Sequence, residues 1–577
     1  MSEAEITTDV LIVGAGPAGA SAAVFLGKYG ISTMMISRYH GTADSPRAHI
    51  VNQRAMEALR DAGLEDECMT FASPDEDIEH TFWLRSMSGE ELARTYSWGN
   101  DPARKGDYAA GSPCRMSDLP QTRLEPILVN EARRLGSDVR FNVELVSFVQ
   151  DDHGVLATLK DRVAGTTLQI RAQYMLGADG ARSRIVEQLG IPLVGKHGLS
   201  SAMNIHCDID LTEAVAHRHG SLYGTFASGI FEWAPVAVFR MVRPWNQWLV
   251  ALMAPPGVEV PDAPKGEIEE HIRKLVGIPE IAVNIISVSK WTVNDIYAEY
   301  YAVGRVFCLG DAVHRHPPTN GLGSNTCIQD AFNLAWKLAL VLQGQAAPAL
   351  LETYNAERQP VGRQIVARAN KSMAQNQKIW MLLGESLRDG SSRDGRRATD
   401  EEIAARKSFR YELDLMKYEY HAHGVEMNRS YESSAVISDD TPLIYGRDVE
   451  LFYQPSTRPG APLPHVWLGK RASGPRISTL DIAGKQRFVL FTGESGEAWR
   501  EAAASVSRRI GVTIDAVAIG PFLDYEDIYG EWVKVAAIEN DGCILVRPDL
   551  HVAWRSARQG ANPEESLQKI MTQILGA

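Results

Sequence analysis

The chain has 577 residues, of which 45% are hydrophobic and 23% are charged. This length predicts two to four domains, and the composition is that of an ordinary globular protein. The net charge of −13 argues against nucleic acid or an anionic membrane surface as the main partner. No apolar run reaches the length of a membrane span, and Met1–Glu5 carries no basic segment of a signal peptide. We therefore expect a cytoplasmic protein without membrane contact.

The six cysteines are scattered along the chain. They form no CxxC pair and lack the histidine spacing that is typical of zinc sites. We expect reduced thiols that serve in packing, and no bound metal. The cysteines are Cys68, Cys114, Cys207, Cys308, Cys327 and Cys543.

A strand, a glycine loop, a helix and a second strand follow one another near the start. Asp9–Val13 has the pattern of a buried strand, and Gly14–Gly19 follows it with GxGxxG spacing. A helix of small residues over Ala20–Leu26 leads to a second predicted strand at Ser32–Ile36. The dinucleotide fingerprint requires this context, so we predict a nucleotide site here.

Each glycine of this loop has a predicted role. Gly14 makes the tight turn, Gly16 lets the backbone approach a pyrophosphate, and Gly19 lets helix and strand pack closely. The second strand ends at Ser37 and Arg38, where the fingerprint expects an acid for the ribose; a hydroxyl holds the ribose less strongly. The predicted nucleotide contacts are Gly14, Gly16, Pro17, Ala18, Gly19, Ser37 and Arg38.

Two further stretches place polar groups near this site. Ser45–Arg54 contains Arg47, a cation for a pyrophosphate, and His49, a titratable group. Taken alone, they are equally typical of a surface cation and a loop histidine. Asp179 lies where a predicted strand ends and a helix begins, which is where ligands of α/β sheets bind.

The stretch Ser201–Thr292 changes character. Short runs rich in Trp, Phe, Met and Val predict an antiparallel sheet that supplies an apolar wall. Its candidate pocket residues are Met203, Phe231, Trp233 and Phe239. Aromatic residues on strands are also common in plain cores, so both interpretations stay open.

A second glycine-rich junction lies at Arg305–Asn325. Val306–Leu309 predicts a buried strand, and Asp311 lies at its end. Two prolines and two glycines then force an irregular loop, and helical spacing begins at Ser324–Asn325. The free N–H groups of a helix N-terminus suit an electron-rich ligand.

The later chain divides at proline-rich and polar stretches. Ser386–Lys407 predicts an exposed connection, and Pro455–Pro464, with four prolines, predicts a domain boundary before a small α/β domain. We predict a domain over residues 1–370 that includes a substrate sheet, mainly 75–120 and 195–295. A helical or irregular connection over 371–455 and a C-terminal domain over 456–577 follow.

These motifs together resemble the single-component flavin-dependent aromatic hydroxylases, and most closely their phenol-type branch. The resemblance covers almost the whole chain. It is carried by Gly14–Gly19, Asp44–Arg54, Asp179-Gly180, Gly310–Pro318, Asn320–Asp330 and the Leu351–Pro360 stretch with Tyr354, Glu357 and Arg358. It implies an α/β fold in which a Rossmann-like FAD-binding domain is interleaved with an antiparallel-sheet substrate domain. A thioredoxin-like C-terminal domain completes the fold; it lacks CxxC, so dithiol chemistry there is not expected.

The resemblance also implies FAD as cofactor and a set of contacts for it. Asp311 would hold the ribityl chain, and N–H groups at Gly323, Ser324 and Asn325 would stabilise negative charge on the flavin. Further implied contacts are Arg47, Gln121, Asp179 and Gly310. His314 and His316 are spaced like metal ligands, but the prolines and the resemblance favour structural or flavin-proximal roles.

The implied reaction is the ortho-hydroxylation of a substituted phenol to a catechol, with NADH or NADPH and O₂ as co-substrates and a C4a-hydroperoxyflavin as oxidant. His49 stands where this branch carries its base for the phenol, and Pro318 would line the reactive side of the flavin. A homodimer is implied too. Alternatives are another flavoenzyme of this fold, such as a halogenase or a polycyclic polyketide hydroxylase, or a non-catalytic flavin-binding protein; the tryptophan motif of halogenases is absent.

Overall fold

The computed structural model describes residues 6–226, 231–388, 399–470 and 474–576. Met1–Glu5, on which the expected absence of a signal peptide rests in part, lies outside these ranges. So do ten residues, 389–398, of the predicted connection Ser386–Lys407. No helix within the described ranges combines the length and apolarity that crossing a membrane requires.

The first sheet places three strand ends at one edge. β1 pairs in parallel with β2 and β10, and β10 pairs in parallel with β17, with Val13 opposite Gly177 and Gly177 opposite Cys308. The loops that follow β1, β10 and β17 therefore leave the sheet side by side. The strands in this half of the chain are β1 Ile6–Val13, β2 Thr33–Ser37, β3 Ile50–Val51, β4 His80–Leu84, β5 Glu91–Tyr96, β6 Ser117–Asp118, β7 Asp138–Phe141, β8 Val143–Asp151, β9 Gly154–Asp161 and β10 Thr167–Gly177. The helices are α1 Pro17–Lys28, α2 Gln53–Asp61, α3 Glu65–Phe71, α4 Lys105–Gly111 and α5 Gln121–Arg134.

The second sheet has eight strands in the order β18-β15-β11-β14-β13-β12-β4-β5. It is antiparallel, as predicted, except that β4 pairs in parallel with β12. Helix α8 packs on this sheet through a large apolar core. This section contains α6 Arg184–Gln188, β11 Leu193–Asp208, α7 Thr212–Val215, β12 Gly220–Thr225, β13 Val236–Arg243, β14 Gln247–Met253, α8 Lys265–Val276, β15 Asn284–Ala298, β16 Ala302–Val303, β17 Val306–Cys308 and β18 His314–Arg315.

Long helices follow the second glycine-rich loop. The first of them, α9 (Gly323–Leu342), is apolar along most of its length. It lies in the core beside α1, because its small and branched residues recur at helical spacing. α11 has no buried residue, and its first half overlaps the predicted connection Ser386–Lys407. The helices are α9 Gly323–Leu342, α10 Glu352–Arg388, α11 Asp400–Asp414, α12 Lys417–Tyr420 and α13 His423–Met427.

The C-terminal part is a small α/β unit, as predicted. Its sheet has the order β22-β21-β23-β24, with β21 and β22 parallel and the other pairs antiparallel, and α15 and α17 pack on it. The domain boundaries at 370 and 455 stay predictions. The elements are β19 Trp467–Leu468, β20 Ile477–Ser478, α14 Thr479–Ile482, β21 Phe488–Thr492, α15 Glu497–Ile510, β22 Ile514–Ala518, α16 Trp532–Ala536, β23 Cys543–Val546, β24 Val552–Ser556 and α17 Pro563–Ile574.

Candidate active site

Backbone contacts close the glycine loop after β1 at two positions, Gly14 and Gly19, and leave no room for a Cβ there. Gly14 has φ +117°, and a Cβ placed on it would lie 2.0 Å from the Ala178 carbonyl oxygen. A Cβ on Gly19 would lie 1.9 Å from the Gly14 carbonyl oxygen. α1 begins at Pro17, and no side chain in the described ranges caps its N-terminus at Gly16. An uncapped helix N-terminus at the edge of a parallel sheet suits a pyrophosphate.

The loop after β17 leads to a second uncapped helix N-terminus. Asp311 and Pro318 are exposed on this loop, and α9 begins at Gly323 without a side-chain cap from any described residue. Asn325 uses its side chain elsewhere: Nδ2 donates to the Ile50 carbonyl over 2.8 Å, and Oδ1 accepts from the Asn52 N–H at 2.9 Å. The start of α9 is therefore fixed to β3, which directly follows His49.

The junction after β10 places Asp179 at the same edge. Its Oδ2 accepts the N–H of Arg184 at 2.9 Å, so it helps to begin α6. Its Oδ1 is buried and meets no donor among the described residues. Burial raises the pKa of this carboxyl. A buried acceptor without a donor fits a ligand that brings a hydroxyl or amide group.

Glu125 supports the loop around Arg47 and was missed from the sequence. Its Oε2 accepts the Ala43 N–H at 2.6 Å and its Oε1 accepts Nε2 of Gln121 at 2.5 Å. The same Oε1 lies 3.8 Å from where a Cβ of Gly16 would be. Arg47 is exposed beside this group, and burial raises the pKa of Glu125. Arg47 and Gln121 thus lie near the N-terminus of α1.

Ser37 ends β2, and Arg38 follows it, next to the β1 loop. The Ser37 hydroxyl accepts the Tyr39 N–H at 3.3 Å, and the Arg38 guanidinium stacks on the Tyr39 ring at 5.1 Å. With the two helix N-termini, the closed glycine turns and the Asp179 acceptor, these residues form one edge that fits the phosphates and ribityl chain of FAD.

His49 is buried in a chain of three charged or titratable side chains. Its Nδ1 lies 3.3 Å from Oδ1 of Asp118, and Oδ2 of Asp118 accepts Nη2 of Arg240 at 2.5 Å. Its Nε2 lies 2.9 Å from the Pro46 carbonyl oxygen. Both ring nitrogens thus face acceptors. A neutral imidazole can donate to only one of them, whereas an imidazolium satisfies both.

The charges around His49 act on its proton affinity in opposite directions. Burial, followed by the positive charge of Arg240, lowers the pKa of His49 below its ordinary value, and Asp118 limits this fall. Burial raises the pKa of the Asp118 carboxyl, but Arg240 and His49 outweigh it and leave that pKa below its ordinary value. His49 is therefore a buried base, and the Asp118 carboxylate stabilises the imidazolium that forms when His49 takes up a proton.

Two of the predicted pocket residues, Met203 and Phe239, lie on the sheet face opposite to that of Arg240. Phe239 precedes Arg240 on β13, so their side chains point to opposite faces. Met203 and Phe239 are fully buried in the core that includes α8, and Phe231 stacks on His271 of that helix while Trp233 packs at its border. These side chains fill the layer between the sheet and α8, as residues of this type commonly do, and their place in the pocket wall stays a prediction.

A different apolar cluster borders His49 and Asp118. Ile50 and Met116 belong to it, each one or two residues from the buried pair, and Leu222 pairs with Arg240 across β12 and β13 and packs against it. Its buried members are Ile50, Trp83, Trp98, Tyr108, Met116, Ile379, Leu383, Met416 and Tyr420.

The two histidines of the β17 loop have protein partners. His314 Nε2 lies 3.0 Å from Oδ2 of Asp330, and His316 Nδ1 lies 2.7 Å from the Pro317 carbonyl oxygen. Burial lowers the pKa of His316 to about 4. In the described part of the chain, no three His, Cys, Asp or Glu side chains form a group that could hold a metal ion.

Comparison with protein families supports a flavin site at this edge of the sheet. A family described as FAD binding domain matches residues 7–369, and one described as aromatic-ring hydroxylase, C-terminal, matches residues 456–577. The chain belongs to the FAD-dependent aromatic-ring hydroxylases. The α/β fold that the sequence predicts and the predicted FAD cofactor are thereby confirmed.

Individual relatives of this hydroxylase match over 93% or more of their length. The 2,4-dichlorophenol 6-monooxygenase of Delftia acidovorans is 46% identical over 99% of this chain and 98% of the relative. The phenol 2-monooxygenase of Pseudomonas sp. (strain EST1001) is 43% identical over 98% of this chain and 93% of the relative. The flavin-dependent monooxygenase PieE, solved with FAD and substrate, has a TM-score of 0.93 and 41% identity, covering 99% of both chains.

Two residues of this hydroxylase's buried triad, Asp118 and Arg240, were not predicted from the sequence. Asp118 and Arg240 are 122 positions apart, so no local pattern connects them. The one available signal was Arg240 itself, a charged residue inside the apolar strand Val236–Arg243.

Proposed function

We propose that this hydroxylase uses NADH or NADPH and O₂ to add a hydroxyl group ortho to the hydroxyl of a substituted phenol, which gives a catechol. The observation that carries the proposal is the buried His49–Asp118–Arg240 set, held to the start of α9 through Ile50 and Asn325. The relatives named for phenols share 43–47% of their residues with this chain, against 31–33% for the tetracenomycin enzymes.

The cofactor contacts follow from the edge of the first sheet. The N-terminus of α1 and Arg47 would hold the pyrophosphate, Asp311 the ribityl chain, and the N–H groups at the start of α9 the electron-rich edge of the ring. Pro318 would line the side of the ring that faces the substrate. Bound FAD supplies the redox chemistry: it takes up two electrons from the nicotinamide nucleotide and activates O₂.

His49 supplies the proton chemistry. A phenolate is a better nucleophile at its ortho carbon than a phenol, and a base in contact with the hydroxyl typically contributes about 10²–10⁴-fold. The phenol hydroxyl would take the place of the Pro46 carbonyl at Nε2, while Nδ1–H donates to Asp118. The imidazolium that forms then keeps a carboxylate partner, and Arg240 stabilises that carboxylate. We propose Ile50, Met116 and Leu222 as pocket walls, because they border this set.

A substrate panel tests the proposal. The FAD-loaded protein is assayed with simple and halogenated phenols, measuring NADH and NADPH oxidation together with the product by chromatography. The matched control for each phenol is its methyl ether, which has no hydroxyl proton for His49 to remove. We expect one catechol per nucleotide oxidised with a phenol and none with its ether. Oxidation of the nucleotide without hydroxylated product from every phenol would contradict the proposal, and turnover restricted to polycyclic substrates would favour a polyketide hydroxylase.

The remaining expectations stand as proposals. A cytoplasmic location is supported by the six cysteines, which are all unpaired and buried, as is usual for reduced thiols. A homodimer is proposed from the family resemblance, and its test is the molecular mass in solution by light scattering.

A further inference from the structure

One buried ion pair joins the C-terminal sheet to α10. Arg547 follows β23, and its Nη1 and Nη2 lie 2.6 and 2.9 Å from the two carboxylate oxygens of Glu357. The same guanidinium binds Asp549 through Nε at 2.9 Å and Nη2 at 2.6 Å. The side chains of Arg547 and Glu357 are both 0% exposed. A planar guanidinium that grips two carboxylates fixes both position and orientation.

The pair belongs to a set in which the charges balance. Lys337 of α9 places Nζ 2.8 Å from Oε2 of Glu357 and 2.9 Å from Oδ1 of Asn333. Asn333 in turn donates to Glu357 and to Asp549. The set holds two cations and two carboxylates, all buried. Removing one member leaves a buried charge without compensation, which is costly in a low-dielectric interior.

The residue after Glu357 on α10, Arg358, is linked through Asp330 to the loop that follows β17. Arg358 Nε lies 2.8 Å from Oδ1 of Asp330, and Oδ2 of Asp330 accepts the Gly310 N–H at 3.1 Å. Arg358 Nη1 also donates to the Tyr431 hydroxyl over 2.8 Å. The guanidinium of Arg547 lies 5.5 Å from the centre of the Tyr431 ring. Arg547 therefore contacts both sides of Arg358: its neighbour Glu357 and its partner Tyr431.

We propose that Arg547 of the C-terminal domain is a positioning residue for the flavin site. It fixes Glu357, which sets the position of Arg358; Arg358 holds Asp330, and Asp330 holds the backbone at Gly310, next to Asp311. This inference rests on the proposed role of Asp311 in holding FAD. It gives the C-terminal domain, which has no CxxC, a part in cofactor binding without chemistry of its own.

The test compares Arg547→Met, Arg547→Lys and the double variant Arg547→Met/Glu357→Gln, in which Lys337 and Asp549 still balance. The control is Arg555→Met, which removes an arginine of the same sheet that pairs with Asp439 away from α10. The readouts are the Kd of the apoprotein for FAD, by flavin fluorescence, and the fraction of oxidised nucleotide that gives hydroxylated product.

We expect Arg547→Met to raise the Kd for FAD at least tenfold and to lower the product fraction, with partial recovery in Arg547→Lys and no change in Arg555→Met. A folded Arg547→Met or double variant with unchanged Kd and product fraction would overturn the proposal. Failure of both to fold where Arg555→Met folds would also overturn it, because the set would then hold the fold rather than the loop. Asp311→Ala separates failure of this proposal from failure of the proposed FAD contact. An unchanged Kd for FAD in Asp311→Ala would refute the role of Asp311 itself.

Discussion

Nδ1 of His49 lies 3.3 Å from Oδ1 of Asp118, and both side chains are buried. The other oxygen of the carboxylate, Oδ2, accepts a hydrogen bond from Nη2 of Arg240. A carboxylate in this position raises the proton affinity of the ring, whereas Arg240 and burial lower it. The base strength of His49 is thus set by two neighbours with opposite effects, and each can be removed separately.

Replacing Asp118 by Asn should weaken the base. The neutral amide no longer stabilises an imidazolium, so the pKa of His49 falls further, and we expect kcat/KM for a phenol to drop at least tenfold. The acid limb of the pH profile of kcat/KM should move to lower pH. Asp61→Asn, at a buried aspartate outside the site, is the matched control and should leave the profile unchanged. An Asp118→Asn profile that coincides with the wild type would refute this role.

Replacing Arg240 by Met should have the opposite effect on pH. Loss of its positive charge raises the pKa of His49, so the protonated, inactive form persists to higher pH. We therefore expect the acid limb of kcat/KM to move upward, and Arg240→Lys to restore most of the wild-type profile. The measurement is kcat/KM against pH for one phenol. Movement of the limb in the same direction as in Asp118→Asn would show that the two residues do not act on His49 as opposed charges.

A methyl group at Gly14 should abolish tight FAD binding. Its Cβ would lie 2.0 Å from the Ala178 carbonyl oxygen, and the positive φ adds strain. We expect Gly14→Ala to raise the Kd for FAD more than tenfold, measured by fluorescence titration of the apoprotein. Gly41→Ala is the control, because a Cβ there meets nothing within 4 Å. Equal FAD affinity in the two variants would place the nucleotide elsewhere.

Stability should fall below about pH 6.5. Six histidines have pKa values that burial lowers to about 4 or below, so the unfolded chain takes up protons that the folded chain refuses, at up to about 1.4 kcal/mol per pH unit for each group. Burial also raises the pKa of Glu419 and of Glu426 to about 8, which favours the folded state as pH falls from 8 to 4.5. Among the groups whose pKa moves this far, six histidines outnumber two carboxyls, so we expect stability to decrease from pH 6.5 toward 4.5. They are His271, His316, His421 and His465, with pKa values of about 4, and His423 and His551, with values of about 3.

The measurement for this prediction is unfolding by urea at pH 5.0 to 8.0, a range that covers the ordinary imidazole pKa. His423→Gln removes one titrating group while an amide can still bind Gln53, so its slope below pH 6.5 should be smaller by the contribution of one proton. A wild-type stability that does not change between pH 6.5 and 5 would contradict the prediction.

The edge of the first sheet that fits FAD could be predicted from the sequence because its features are local. Gly14–Gly19, Asp179 and Asp311 each follow a short apolar strand, and parallel strands bring such ends to one edge. The triad could not be predicted in full, since Asp118 and Arg240 meet only through tertiary packing. Alternation along β13 put Phe239 and Arg240 on opposite faces, but it could not show which face α8 covers.

We propose that His49 removes the proton of the phenol, and the variant His49→Ala isolates this step. The variant is compared with the wild type on a phenol that is protonated at the assay pH and on a nitrophenol that is already largely ionised there. We expect a loss of about 10²-fold or more in the hydroxylation rate of the protonated phenol and a much smaller loss for the ionised one. Equal losses on both substrates, or no loss on the protonated phenol, would contradict it.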